Sequence, residues 1–108
     1  MPEKTLVFSI READKVKRKE LTDVYEFTEP LFTEGDICSC ITETDILPFA
    51  YVKILAIHRH NFSQILYFDA VSAGYNSLDH FKAALAKKTN KKVCDQTKVW
   101  HIIFELVN

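Results

Sequence analysis

Apolar positions along the chain switch between a period of two and a period near four. From Thr5 to Arg11, Leu6, Phe8 and Ile10 fall on one side, which predicts a half-buried strand. Glu12 to Glu20 is charged and suits one or two helical turns. Thr22 to Thr28 carries Val24, Tyr25 and Phe27, a short strand that Glu29-Pro30 ends. Ile37 to Thr44 predicts another strand, and Pro48 closes the loop after it. Phe49 to Asn61 is rich in Tyr, Val, Ile and Leu and predicts a long strand. Ser63 to Ser72 suits a short helix. Ser77 to Lys88 is the clearest helix: Leu78, Phe81, Ala84 and Leu85 make one stripe, with Asn76 or Ser77 as its cap. Thr97 to Val107 predicts a last strand, with Trp100, Ile102, Phe104 and Leu106 on one side and His101 and Glu105 on the other.

The order β-α-β-β-β-α-α-β has no repeat and no linker, and 108 residues fit a single domain spanning 1–108. It predicts an α+β fold built on a strongly bent sheet or small mixed β-barrel with flanking helices. Both end strands are apolar on one side, so the last is expected to close against the first. Only two glycines occur. Gly35 reads as a turn into a strand, and Gly74 as the break between two helical segments.

Charge adds an asymmetry that the net value of −1 hides. Residues 15–19 (KVKRK) are basic, Glu20 to Pro48 holds acids and no Lys or Arg, and Lys82 to Lys98 is lysine-rich again. Each segment alone reads as a solvated face. If the two basic segments meet in space, they form a phosphate-binding patch. Cys38, Cys40 and Cys94 are an odd number without zinc-site spacing, so they read as structural thiols and no metal is expected. His58 and His60 share a strand face and His101 lies on another strand, an acid–base pair only if they meet. No apolar run reaches the length of a membrane span and the start lacks a signal-peptide shape, which predicts a soluble, cytoplasmic protein.

Three short stretches resemble the ASCH family of the PUA-like superfamily. Gly35-Asp36 matches the Gly-Asp pair at the start of a barrel strand. Ala73-Gly74-Tyr75-Asn76-Ser77, running on to Phe81, matches the segment at the start of the late helix. Val99 to Glu105 is similar to the family's closing strand, with one extra apolar residue. The resemblance covers most of the chain and implies a small barrel with a cleft beside it. In the family's small amidohydrolases, which act on N4-acetylcytidine, a lysine, a threonine and a later glutamate form the catalytic set. Lys19 and Thr22 are the matching lysine and threonine. The family's preceding glycine is replaced by Arg18, its arginine is missing, and no acid stands at Ala73-Gly74-Tyr75, where the glutamate is expected. Asp69 and Asp79 are the nearest carboxylates.

The first functional expectation is therefore an RNA- or nucleotide-binding module, monomeric and without a cofactor. Its binding residues would be Lys15, Lys17, Arg18, Lys19, Thr22, Tyr25, Tyr75, Lys87 and Lys88, the lysines and arginine on phosphate and the tyrosines on bases. The second is a small hydrolase, amidohydrolase-like or a nuclease, acting on a modified nucleoside or RNA with Lys19 and Thr22 as catalytic residues. The third is a protein-interaction module that uses the acidic face between Glu20 and Asp45.

Overall fold

A computed structural model describes residues 4–89 and 91–107. Its elements in chain order are β1 (Thr5–Phe8), α1 (Ile10–Lys17), β2 (Asp23–Glu26), β3 (Ile37–Thr42), β4 (Asp45–Asn61), α2 (Tyr67–Ser72), α3 (Leu78–Ala86) and β5 (Lys98–Val107). The strands form one mixed sheet in the order β1-β3-β4-β5-β2. Only β1 and β3 run parallel; the other pairs are antiparallel. The sheet curls into a half-barrel carrying three helices, the α+β class that the element order predicts.

Its curvature has local causes. The β4–β5 ladder slips between Ile54 and Ala56, and the β3–β4 ladder slips beside Cys40. Such bulges bend and twist a strand. Pro48 does not close a loop, as expected, but lies within β4, where no ladder partner demands the N–H it lacks. Gly35 turns the chain into β3 with φ +91°, and its N–H donates to the Ile54 carbonyl at 2.8 Å. Asp36 then accepts from the Thr33 N–H at 2.8 Å and holds Lys4 at 3.3 Å. These contacts keep its carboxyl below the usual range.

The first strand is shorter than its alternation predicts, because Ser9 and Glu12 form a capping box. The Ser9 hydroxyl accepts the Glu12 N–H at 3.1 Å and the Glu12 carboxylate accepts the Ser9 N–H at 2.9 Å. The helix therefore starts at Ile10. The segment expected as one helix from Ser63 to Ser72 divides into a 3₁₀ turn at Phe62–Gln64 and α2, where Asp69 caps the Leu66 N–H at 2.7 Å.

The last strand does not close against the first. β5 lies between β4 and β2, and β1 and β2 are the outermost of the described strands. Burial on both faces explains the placement. Val99 and Ile102 are both fully buried, in different clusters. Ile102 and Phe104 join Leu6, Phe8, Val24, Val52 and Ile54 inside the curl. Val99 joins Tyr25, Phe62, Ile65, Ala70, Phe81 and Leu85 under α2 and α3. Cys38 and Cys40 are fully buried in the inner cluster, where burial pushes their thiols up to about 11 and about 12.

Ile54→Ala is expected to cost about 2–5 kcal/mol of stability by urea denaturation, as for other buried large-to-small changes. Leu47→Ala, at an exposed position of β4, is expected to stay within about 0.5 kcal/mol.

Candidate functional site

Curling leaves open space between the sheet's two edges. A cleft of about 680 Å³ separates β1 from the chain after β2, with Thr5 to Ser9 on one wall and Thr28 to Phe32 on the other. A second cleft, about 470 Å³, lies between α1, β2, the Gly74 turn and α3. Ser9, Glu12, Ala84 and Lys88 line both, so the two clefts share one ridge.

Helix spacing builds the walls of the smaller cleft. The capped start of α1 places Arg11 and Lys15 four residues apart, on one face. Gly74, at φ +90°, ends α2 and lets Tyr75 turn back, where its N–H donates to the Ala70 carbonyl at 2.8 Å. A Cβ on Gly74 would meet nothing within 4 Å, so the backbone angle alone calls for glycine. Tyr75, 36% exposed, packs its ring 5.2 Å from Phe81. Lys88 enters from the end of α3. Among the described residues Arg11, Lys15 and Lys88 form no ion pair. The two acids in the cleft are both engaged: Glu12 in the capping box, and Asp23 with His101 Nε2 at 2.5 Å.

The floor is β2. Tyr25 is clamped there: it stacks on His101 with ring centroids 4.2 Å apart and planes 2° from parallel, and meets Phe81 edge-on at 5.5 Å. Burial, reinforced by the nearby Asp69 carboxylate, drives the Tyr25 pKa far upward. Its ring is thus a fixed, neutral part of the floor, and Tyr75 is the tyrosine left partly open. On the next strand residue Glu26 faces the larger cleft. Burial raises its carboxyl above the usual glutamate value; Lys88 opposes the shift and Glu12 adds to it.

The structure brings Lys15, Tyr25, Tyr75 and Lys88 together in the smaller cleft, while Lys87 lines the larger one with Glu26, Glu29 and Glu43. The remaining expected residues stand elsewhere. Lys17 lies 5.8 Å from the Phe49 ring, and Arg18 pairs with Asp14 at 3.0 Å and Glu20 at 3.1 Å. Lys19, at φ 61°, shares a small pocket of about 200 Å³ with Thr22 and Glu105. Asp69 is committed to the α2 cap, near Tyr25, and Asp79 sits in the first turn of α3. His58 faces His101 across the β4–β5 ladder, 6.5 Å between ring centroids, with His60 6.1 Å from His58. Among the described residues no three metal-ligating side chains converge. Arg11, Glu12 and Glu26 were not expected at the site. The Ser9-x-x-Glu12 pattern was the signal for the first two, since it sets where the helix begins; Glu26 had none.

No family model and no curated protein matches the chain. Its fold, however, is shared with solved structures. Protein EF3133 from Enterococcus faecalis, of family DUF984, superposes with a TM-score of 0.75 at 14% identity, over 90% of this chain and 67% of that one. An ASCH domain from Lactobacillus crispatus gives 0.67 at 14%, over 87% and 69%. ASCH from Zymomonas mobilis gives 0.67 at 10%, over 99% and 73%. The chain has the fold of an ASCH domain.

Glu26 yields a pH test. The folded state holds its proton to higher pH than the unfolded chain does. Stability therefore falls as pH rises from the ordinary glutamate range to the raised folded value, and the loss persists above it. Glu26→Gln is expected to raise the urea midpoint at neutral pH, with a gain that shrinks once the parent carboxyl is protonated in both states.

Proposed function

We propose that the protein is a binding module for RNA or a nucleotide-like ligand, and that the smaller cleft is its site. The observation that carries this reading is the meeting of Arg11, Lys15 and Lys88, none of them ion-paired among the described residues, around a half-open tyrosine. A cleft of about 470 Å³ is within the range of about 300–1,000 Å³ usual for small-ligand sites. Cations facing a concave, partly apolar wall suit phosphate, and an aromatic ring suits a base. The fold shared with ASCH domains is consistent with a cleft beside a PUA-like barrel.

Hydrolysis at Lys19 and Thr22 draws support from Glu105, which adds a glutamate to the same pocket. Both residues are exposed, though, and the pocket is small, about 200 Å³. Exposed groups of this kind gain little from the water exclusion that strengthens electrostatic catalysis. The larger cleft, with Glu26, Glu29 and Glu43, keeps the acidic-face reading for a protein partner.

A titration of labelled protein with short mixed-sequence single-stranded RNA, and separately with N4-acetylcytidine, tests these readings. Amide shifts are expected at Arg11, Lys15, Tyr25, Tyr75 and Lys88. Lys15→Gln with Lys88→Gln should lower the salt slope of RNA binding by about 1.4, from about 0.7 per phosphate contact on a single strand. Tyr75→Ala should cost about 1–3 kcal/mol if the ring carries a base. Shifts confined to Lys19, Thr22 and Glu105, with loss of the acetyl signal, would replace the binding reading with the hydrolase.

A further inference from the structure

The outer face of the sheet is bare at the end away from α2 and α3. On β4, Val52 and Ile54 are buried in the curl, and Tyr51, Lys53 and Leu55 turn to the opposite side and are exposed. Strand register sets their neighbours. Lys53 lies opposite Ile37 of β3 and Glu105 of β5, and Tyr51 lies opposite Val107. Leu55 falls at the slip in the β4–β5 ladder. Lys53 is therefore flanked by Tyr51, Leu55 and Ile37, with Val107 on the diagonal. Ile37, Tyr51, Leu55 and Val107 are each between 39% and 51% exposed. Such side chains are ordinary when scattered, but joined across three strands they mark a contact surface. Helices α2 and α3 pack over the other end of β5, around Val99, and leave this end uncovered. The Lys4–Asp36 ion pair and the Thr5–Ser39 hydroxyl contact give it a polar border. Among the described residues neither Lys53 nor Glu105 forms an ion pair, although they stand directly opposite each other.

We propose that this face is the interface of a homodimer, in which two copies of the chain pack sheet against sheet about a two-fold axis. The charges name the occupant. The patch carries one cation and one anion side by side at its centre, so it is complementary to itself. A two-fold axis passing between them sets Lys53 of one copy on the partner's Glu105, and the reverse pair follows by symmetry. Ringed by apolar side chains, these two pairs fix the register of the contact. Stacked sheets stand about 10 Å apart, a gap that tyrosine, leucine and isoleucine side chains fill from both sides. A polyanion such as RNA would meet Glu105 as often as Lys53, so the patch does not suit it. None of the six residues lines either of the two large clefts, and the dimer leaves all of those clefts open. Glu105 also borders the pocket of Lys19 and Thr22, which then lies beside the interface. The inference is independent of RNA binding and replaces the monomer that the sequence suggests.

Sedimentation velocity of the full chain over a concentration series, without RNA, tests it. The expected result is a monomer–dimer equilibrium that reaches dimer by about 1 mM protein. Lys53→Glu leaves only carboxylates at the centre of the contact, and Glu105→Lys only ammonium groups. Each change alone is expected to weaken the dimer about tenfold or more, because like charges then face each other. An equimolar mixture of the two single variants should recover it, since each chain then supplies the charge that the other lacks, and Lys53→Glu with Glu105→Lys in one chain should recover it too. Tyr51→Ser with Leu55→Ser should weaken it about tenfold or more, as for truncation at the centre of an interface. All six side chains in the patch are exposed or at its surface, so a urea midpoint near the parent's is expected for each variant and confirms that it folds. A chain that stays monomeric throughout the series would overturn the proposal. A dimer that the serine double variant leaves intact would also overturn it, by placing the contact elsewhere. Single variants that lose the dimer while their mixture fails to recover it would overturn the two-fold pairing of Lys53 with Glu105.

Discussion

Burial of β5 on both faces is the constraint from which the rest of the molecule follows. Val99 and Ile102 are each fully buried, on opposite sides of the sheet. A strand buried on both sides belongs in a sheet's interior, so β5 takes β4 on one flank and β2 on the other. The short strands β1 and β2 are left at the edges. The curl brings those edges toward each other without joining them, and residues of α1 and α3 line the gap from either side. The two clefts are the spaces that this arrangement cannot fill.

Electrostatics then separates the clefts. Both share Lys88, but Lys87 and Lys88 meet Glu26, Glu29 and Glu43 in the larger one. In the smaller one the acids are already occupied, Glu12 by the backbone of Ser9 and Asp23 by His101. Formal charge is therefore a poor guide here. What matters is which charges remain without a close partner, and in the smaller cleft these are Arg11 and Lys15, with Lys88 on the shared ridge also acting on Glu26. His101 has a second effect: it supports Tyr25 by stacking and holds Asp23, so one side chain organises much of the cleft floor.

Much of the fold was legible because short-range rules govern it. Leu6 and Phe8 alternate as strand residues do, and the stripe on α3 with Ser77 as its cap marked that helix correctly. Gly74 and Gly35 stand at positive φ, where their rarity had placed them at turns. The start of α1 was legible too, in Ser9-x-x-Glu12, but the alternation through Ile10 masked it. Strand pairing was not legible. Nothing local tells that His101 lies opposite Tyr25, or that β5 avoids β1. The site inherits that difficulty. Lys15 and Lys88 are far apart in sequence and meet because the sheet curls, whereas Lys17 and Arg18, beside Lys15, turn to other sides of the helix. Glu26 looked like one more acid in an acidic run, and only the partners around it distinguish it.

Crosslinking to a single-stranded RNA that carries 4-thiouridine, mapped by mass spectrometry, tests most directly whether the smaller cleft takes RNA. The proposed site predicts crosslinks at Tyr75 and at its neighbours lining that cleft. Crosslinks confined to Lys19 and Thr22, or spread over the surface without preference for the cleft, would contradict it.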